Sequence, residues 1–386
     1  MLRRLPGLFV LASLALAASP SAAFHTAPEV PAGMQRVTDL LLNRDAEAAE
    51  AECRSLLTLS EGEAVGKFCF GLVTLTRAED KDDPTPELDR FLALAAETVA
   101  AAEALERSQP ADAEIKLLLG LAHGNKALVD GGRKNYLAAF TSLREAHRRF
   151  EEAVKLDPRL VDAYYGIGLY NYALGRLPVL LKPLVGIVLP YGDAAHGLQD
   201  LERVAEHGTY LKMTARVALL HLYASREDKY AEALRLGRDL LLRYPGNSDL
   251  YFATAHAASE LGRGADALEI ARRVARNMTQ GHPHFGPELS GRYNQLMGKI
   301  YMDQGEPATA LTFFQRAIQA PTPPRYLWVT AWAWTRSGMI YDLQGDRQEA
   351  VRRYHKALAV ETEALAQDVA RRYLETPYRG RARSAS

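Results

Sequence analysis

Alanine, glycine and aromatic residues recur along this chain at a fixed spacing, and that spacing limits the folds open to it. Trp334-x2-Ser337-Gly338-x2-Tyr341 is followed by Gly345, Ala350, Tyr354 and Ala357. Position for position, Gly298, Tyr301, Gly305, Ala310, Phe314 and Ala317 stand one copy earlier. The loop Pro321-Thr322-Pro323-Pro324 between the two copies absorbs the excess over a shorter period. The step from Ala233 to Ala267 shows that shorter period directly, with Tyr251, Ala255, Gly262 and Ala271 in step. Farther upstream, Ala146, Phe150, Ala153 and Pro158 run into Tyr164, Ile167, Gly168 and Gly175. Weaker copies begin at Lys116-x2-Leu119-Gly120 and Lys67-x2-Phe70-Gly71.

A unit of this length fits two antiparallel helices. Gly and Ala mark close approaches of backbone, and the aromatic and Leu positions fill the space between them. Pro158 and Pro245 end helices, because proline lacks the amide donor and clashes with the preceding turn. Ala231–Leu242 places apolar residues three and four apart, as an amphipathic helix requires. No stretch alternates with a two-residue period, so essentially no sheet is expected. One hairpin cannot bury its apolar face, but a stack of them can.

The W-x2-L-G-x2-Y and A-x3-F-x2-A spacing resembles the tetratricopeptide repeat (TPR), with Ser337 in place of its Leu. The resemblance covers most of the chain after the leader. It implies an all-α, right-handed superhelical solenoid of about eight TPR-like helical hairpins between residues 30 and 374. First helices would line a concave groove, which repeats of this kind use to bind peptides or proteins. A narrower resemblance runs over roughly residues 134–275. Tyr165-Gly-Ile-Gly-Leu-Tyr-Asn-Tyr, then Gly192-Asp193 and Gly197-Leu198-x2-Leu201, are similar to a eukaryotic TPR family. That family includes the yeast inclusion-body-clearance protein, associated with mitochondria and lipid droplets.

Two regions break the period. The stretch between Gly120 and Ala146 is too long for one unit; Asp130-Gly131-Gly132 reads as a turn and Lys134 to Leu156 as a long helix. The second is the apolar, Pro-rich insert 177–190, which carries Lys182 as its one charge. It is too short to span a bilayer and too rich in proline for one helix. Packing inside the solenoid, resting on a membrane surface, and serving as an apolar ligand or partner site all fit it. The last would make the protein a carrier of an apolar small molecule or lipid, the alternative to a scaffold.

The start of the chain reads as a secretory signal. Arg3 and Arg4 precede the apolar run Leu5 to Ala18, and Ser21 and Ala23 meet the small-x-small rule, placing cleavage after Ala23. The expected organisation is a leader at 1–23, a solenoid at 24–374 and a disordered basic tail at 375–386 holding Arg379, Arg381 and Arg383. The destination is outside the cytoplasm, the periplasm in a Gram-negative bacterium, where disulfides persist. Cys53 and Cys69 flank the turn Ser60-Glu61-Gly62 at equal distance; a disulfide between facing helices and two buried thiols both fit.

Acidic and basic residues balance at 47 each, and no clustered basic surface of the kind nucleic acids need is present. His282-Pro283-His284 and His256 lack the companion ligands of a metal site, so no metal or cofactor is expected. No phosphate-cradling loop or nucleophile motif occurs, and no enzyme activity is expected. What remains is the groove. One turn from the packing positions stand Asp162, Tyr165 and Tyr172, then Asp249, Phe252 and His256, then Arg292, Gln295 and Lys299, then Trp332. Aromatic residues and arginine anchor polypeptide interfaces, so these are the expected partner-binding residues.

Overall fold

The computed structural model describes residues 29–59, 62–177, 192–362 and 364–380. The expected leader, the insert beyond Leu177 and residues 381–386 of the tail lie outside the described residues. Among the described residues every regular element is helical. The chain divides into two compact units, one ending at Leu219 and one beginning at Leu220.

The first unit holds α1 (Glu29–Leu42), α2 (Ala46–Leu57), α3 (Gly62–Glu79), α4 (Thr85–Ser108), α5 (Ala113–Gly132), α6 (Tyr136–Leu156), α7 (Ala163–Gly175) and α8 (Ala194–His207). The division falls within α9 (Lys212–Ser225). The second unit continues with α10 (Tyr230–Arg243), α11 (Ser248–Glu260), α12 (Gly264–Thr279), α13 (Ser290–Asp303), α14 (Pro307–Gln319), α15 (Leu327–Leu343), α16 (Arg347–Leu358) and α17 (Leu365–Glu375). From α1 to α8, and again from α10 to α17, consecutive helices pack on one another. First helices of neighbouring hairpins also touch: α1 on α3, α5 on α7, α11 on α13 and α13 on α15. This is the stacked-hairpin solenoid that the repeat pattern calls for, closed by α17 on α15 and α16.

The repeat glycines face the repeat aromatics. A Cβ on Gly298 would lie 2.5 Å from the Phe314 ring, and one on Gly338 would lie 2.6 Å from the Tyr354 ring. Each hairpin therefore closes on a ring seated against bare backbone. Phe150 is gripped from both sides, by Gly120 of α5 and Gly166 of α7, with virtual Cβ distances of 2.7 and 1.9 Å. Phe150 follows Gly120 at nearly twice the separation at which Phe314 follows Gly298. The extra residues do not make a loop. They lengthen α5 and α6 to 20 and 21 residues, and about two added turns per helix keep the facing side chains in phase. The expected turn moves accordingly: Asp130-Gly131-Gly132 is the end of α5, and the chain reverses at Arg133 and Lys134.

Cys53 and Cys69 form a disulfide with Cα atoms 5.6 Å apart. It joins α2 to α3, so it ties the terminal hairpin α1–α2 to its neighbour rather than closing one hairpin on itself. At the other end the tail is not free from residue 375. The Tyr378 amide donates to Asp342 Oδ2 at 2.9 Å, and the Tyr378 ring meets Tyr373 edge-on. Asp342 also accepts from Tyr354 Oη at 2.7 Å and from Arg347 at 3.0 Å, which pins residues 376–380 against the last hairpin.

Candidate functional site

In the second unit the successive first helices α11, α13 and α15 form a continuous face. Helical spacing puts Asp249, Phe252, His256 and Glu260 on one side of α11, and Arg292, Gln295, Lys299 and Asp303 on one side of α13. The pairs cross between helices. Arg292 donates to Asp249, and its guanidinium lies 4.1 Å from the Phe252 ring centre and 5.7 Å from those of Tyr326 and Trp328. One turn along, Gln295 is 6% exposed, and its Nε2 has no hydrogen-bond partner among the described residues. A further turn along, Lys299 Nζ lies 2.8 Å from Glu260 and also donates to Asp303, which accepts from Ser259 Oγ at 2.6 Å. His256 Nε2 stands 3.8 Å from the same Glu260, and its ring meets Tyr230 edge-on. On α15, Arg336 covers the Trp332 ring at 4.4 Å.

Most of the expected partner-binding residues therefore come together here: Asp249, Phe252, His256, Arg292, Gln295, Lys299 and Trp332. Sequence reasoning missed Glu260, Ser259, Asp303, Tyr326 and Trp328. Trp328, one turn before Trp332, was accessible to the same spacing rule. So was Asp303, four residues after Lys299 on α13; the role of Glu260 was not, because only the packing of α11 on α13 brings it to Lys299.

The other three, Asp162, Tyr165 and Tyr172, belong to the first unit and are packing residues. Asp162 is 1% exposed. Its carboxylate accepts from the backbone amides of Thr209, Tyr210 and Leu211, so it points into the solenoid and not onto an open face. Burial pushes its carboxyl upward, and the three amide donors pull against that shift. Tyr165 is fully covered, with its hydroxyl unpartnered among the described residues. Tyr172 lies buried under the Arg176 guanidinium at the seam where α7 meets Gly197 of α8. Backbone meets backbone where α7 and α8 approach at Gly168 and Gly197, which covers Tyr172, while the segment entering α9 covers Asp162.

Among the described residues no group of three or more His, Cys, Asp or Glu is placed to hold a metal ion. No described helix is long and apolar enough to cross a membrane.

Fold and face together define an α-helical repeat protein with a face of paired charges and rings. The chain belongs to the tetratricopeptide-repeat superfamily: profiles of the repeat match residues 135–179 and 333–366. No curated protein sequence matches, and the likeness of residues 134–275 to a eukaryotic family is not carried further. Similar solved structures include a tetratricopeptide repeat protein from Parabacteroides merdae, 14% identical with a TM-score of 0.33, covering 79% of this chain and 97% of that one. A human IFIT1 dimer with m7Gppp-AAAA is 14% identical with a TM-score of 0.43, covering 89% of this chain and 82% of that chain. A monomeric IFIT1 mutant with Gppp-AAAA has a TM-score of 0.37 at 14% identity, covering 89% and 90%. Scores this low add nothing to what the helices themselves define.

Proposed function

We propose that this protein is an exported scaffold that holds a polypeptide partner on the face of α11, α13 and α15. The observation that carries the reading is the face itself. The half-buried Trp328 and Trp332 stand beside a pre-paired set of ions, with Phe252 buried under Arg292 as their support, and preorganised aromatic and arginine groups are what anchor protein interfaces. Its ions pair as Arg292 with Asp249 and Lys299 with Glu260 and Asp303, and no catalytic step is assigned to them. Export rests on the leader-like sequence 1–23, and the Cys53–Cys69 disulfide supports an oxidising compartment. The periplasm is the destination this reading gives for a Gram-negative source.

The test is site-specific photocrosslinking in the producing cell. A benzoylphenylalanine replaces Trp332 in one strain and Leu242, 82% exposed on the outer helix α10, in another. One discrete polypeptide adduct, in the fraction outside the cytoplasm and from position 332 only, is expected. Equal adducts from both positions, or none from position 332, would refute the scaffold face.

A further inference from the structure

One end of the candidate face is covered by the protein's own C-terminal segment. Trp328, Trp332 and Leu343 lie on one side of α15, four and then eleven residues apart, which is close to whole turns of helix. Glu260, Asp303 and Leu343 each stand two residues before the glycine of their hairpin turn, so Leu343 is the counterpart on α15 of two residues of the face. Both tryptophans are half-buried, and Leu343 is 52% exposed. Beyond α17 the chain is extended at Thr376, with φ of −132° and ψ of 122°, and it returns over this end of α15. A Cβ on Gly380 would lie 3.7 Å from Leu343 Cδ2.

Tyr378 carries the attachment. Its amide donates to Asp342 Oδ2, and its ring lies 5.1 Å from that of Tyr373 on α17, centre to centre. Around it Thr376, Pro377, Arg379 and Gly380 are exposed. The acceptor does not depend on the tail. Asp342 is held by Tyr354 Oη and Arg347, and Arg347 also donates to the Leu374 carbonyl at 2.7 Å. The seat therefore survives when the tail leaves it. A segment with exposed backbone and little buried apolar surface opens at low cost, whereas a packed helix opens only with its neighbours.

Building on the scaffold reading above, we infer that residues 376–380 are an autoinhibitory strap, which competes with the partner for the Leu343 end of α15. An ordinary polypeptide interface covers about 800 Å² on each side, a patch about 30 Å across. Leu343 stands about 16 Å from Trp332 along the helix. A partner seated on the tryptophans and spreading toward Leu343 meets the strap and has to lift it. Such a partner binds the molecules whose tail is undocked, so tail docking weakens its apparent affinity in proportion to the docked population.

Tyr378→Pro in the full chain removes the amide donor and the ring and leaves Asp342 bonded to Tyr354 and Arg347. A chain ending at Glu375 removes the strap outright, and circular dichroism confirms that each variant keeps its helix content. Both changes are placed in the strain that carries benzoylphenylalanine at position 332. The yield of the polypeptide adduct is expected to rise about threefold or more in each. In the native protein, hydrogen exchange at the Tyr378 amide is expected to be about tenfold slower than at Arg379. An adduct yield unchanged by both variants, or a Tyr378 amide that exchanges as fast as its neighbour, would overturn the strap and leave the scaffold reading intact. No adduct from position 332 in any of the strains would count against both.

Discussion

The Asp162 carboxylate accepts from three consecutive backbone amides, at 3.0 Å from Thr209, 2.8 Å from Tyr210 and 2.6 Å from Leu211. Tyr210 in turn donates its hydroxyl to Glu114 at the start of α5. One side chain at the head of α7 thus fixes the entry to α9 and ties it toward α5. Removing the acceptor strands three buried donors. Asp162→Ala is expected to cost about 3 kcal/mol or more, and Asp162→Asn less, because the amide oxygen still accepts. Urea unfolding measures both, and a loss below about 1 kcal/mol for the alanine variant would show that Asp162 is no clamp. The spacing rule assigned it to the groove because periodicity gives a face, not what covers that face.

Six of the hairpin turns share a backbone requirement that residues meet in two ways. Gly262, Gly305 and Gly345 adopt φ of 72°, 79° and 81° between α11 and α12, α13 and α14, and α15 and α16. Arg44, Lys134 and Asp228 occupy the same left-handed region in other hairpins, at about 1 kcal/mol of strain each. Glycine made three turns legible; the others carry no such mark, and that is why the α5–α6 turn was expected too early. The pair α5–α6 also holds two partly buried imidazoles. Burial pushes His123 on α5 and His147 on α6 below the usual 6.5; Glu145 opposes this at His123, and Glu151 at His147. His147 stacks on Tyr170 at 4.0 Å between ring centres. The unfolded chain takes up these protons near pH 6.5, whereas the folded chain resists. Stability is therefore full above pH 6.5 and falls as the pH drops through that value toward the depressed folded ones. A second loss follows at lower pH. Hydrogen bonding to Arg148 leads the causes that hold Glu145 at about 2, down from 4.5, so its contribution fades between those values. Thermal melts from pH 7.5 to 5 should show the first loss in the native protein and a smaller one in His147→Gln. Equal slopes would refute the assignment to His147.

In a stacked array each hairpin is stabilised by its neighbours, so an end with one neighbour frays first. The Cys53–Cys69 bond answers this at one end and the Asp342 anchor of Tyr378 at the other. A loop of this size contributes about 3 kcal/mol. Replacing both cysteines with Ser should raise hydrogen exchange in α1 to α3 while leaving α5 to α7 unchanged; uniform exchange across these helices would contradict a local staple. The candidate face was legible wherever a helix period alone decided it. Arg292, Gln295 and Lys299 share a stripe because the helix repeats every three to four residues, whatever lies opposite. The repeat period, the Gly–aromatic spacing and the helix-ending prolines likewise determined the hairpins and their order, since these are properties of contiguous chain. Which charges neutralise which from one helix to the next was decided by tertiary structure alone. Lys299 meets Glu260, and Arg292 meets Asp249, each across a whole intervening helix. The partner of a charge on a solenoid face lies one repeat away on the adjacent helix, at a distance set by packing and by loop lengths that no local pattern encodes.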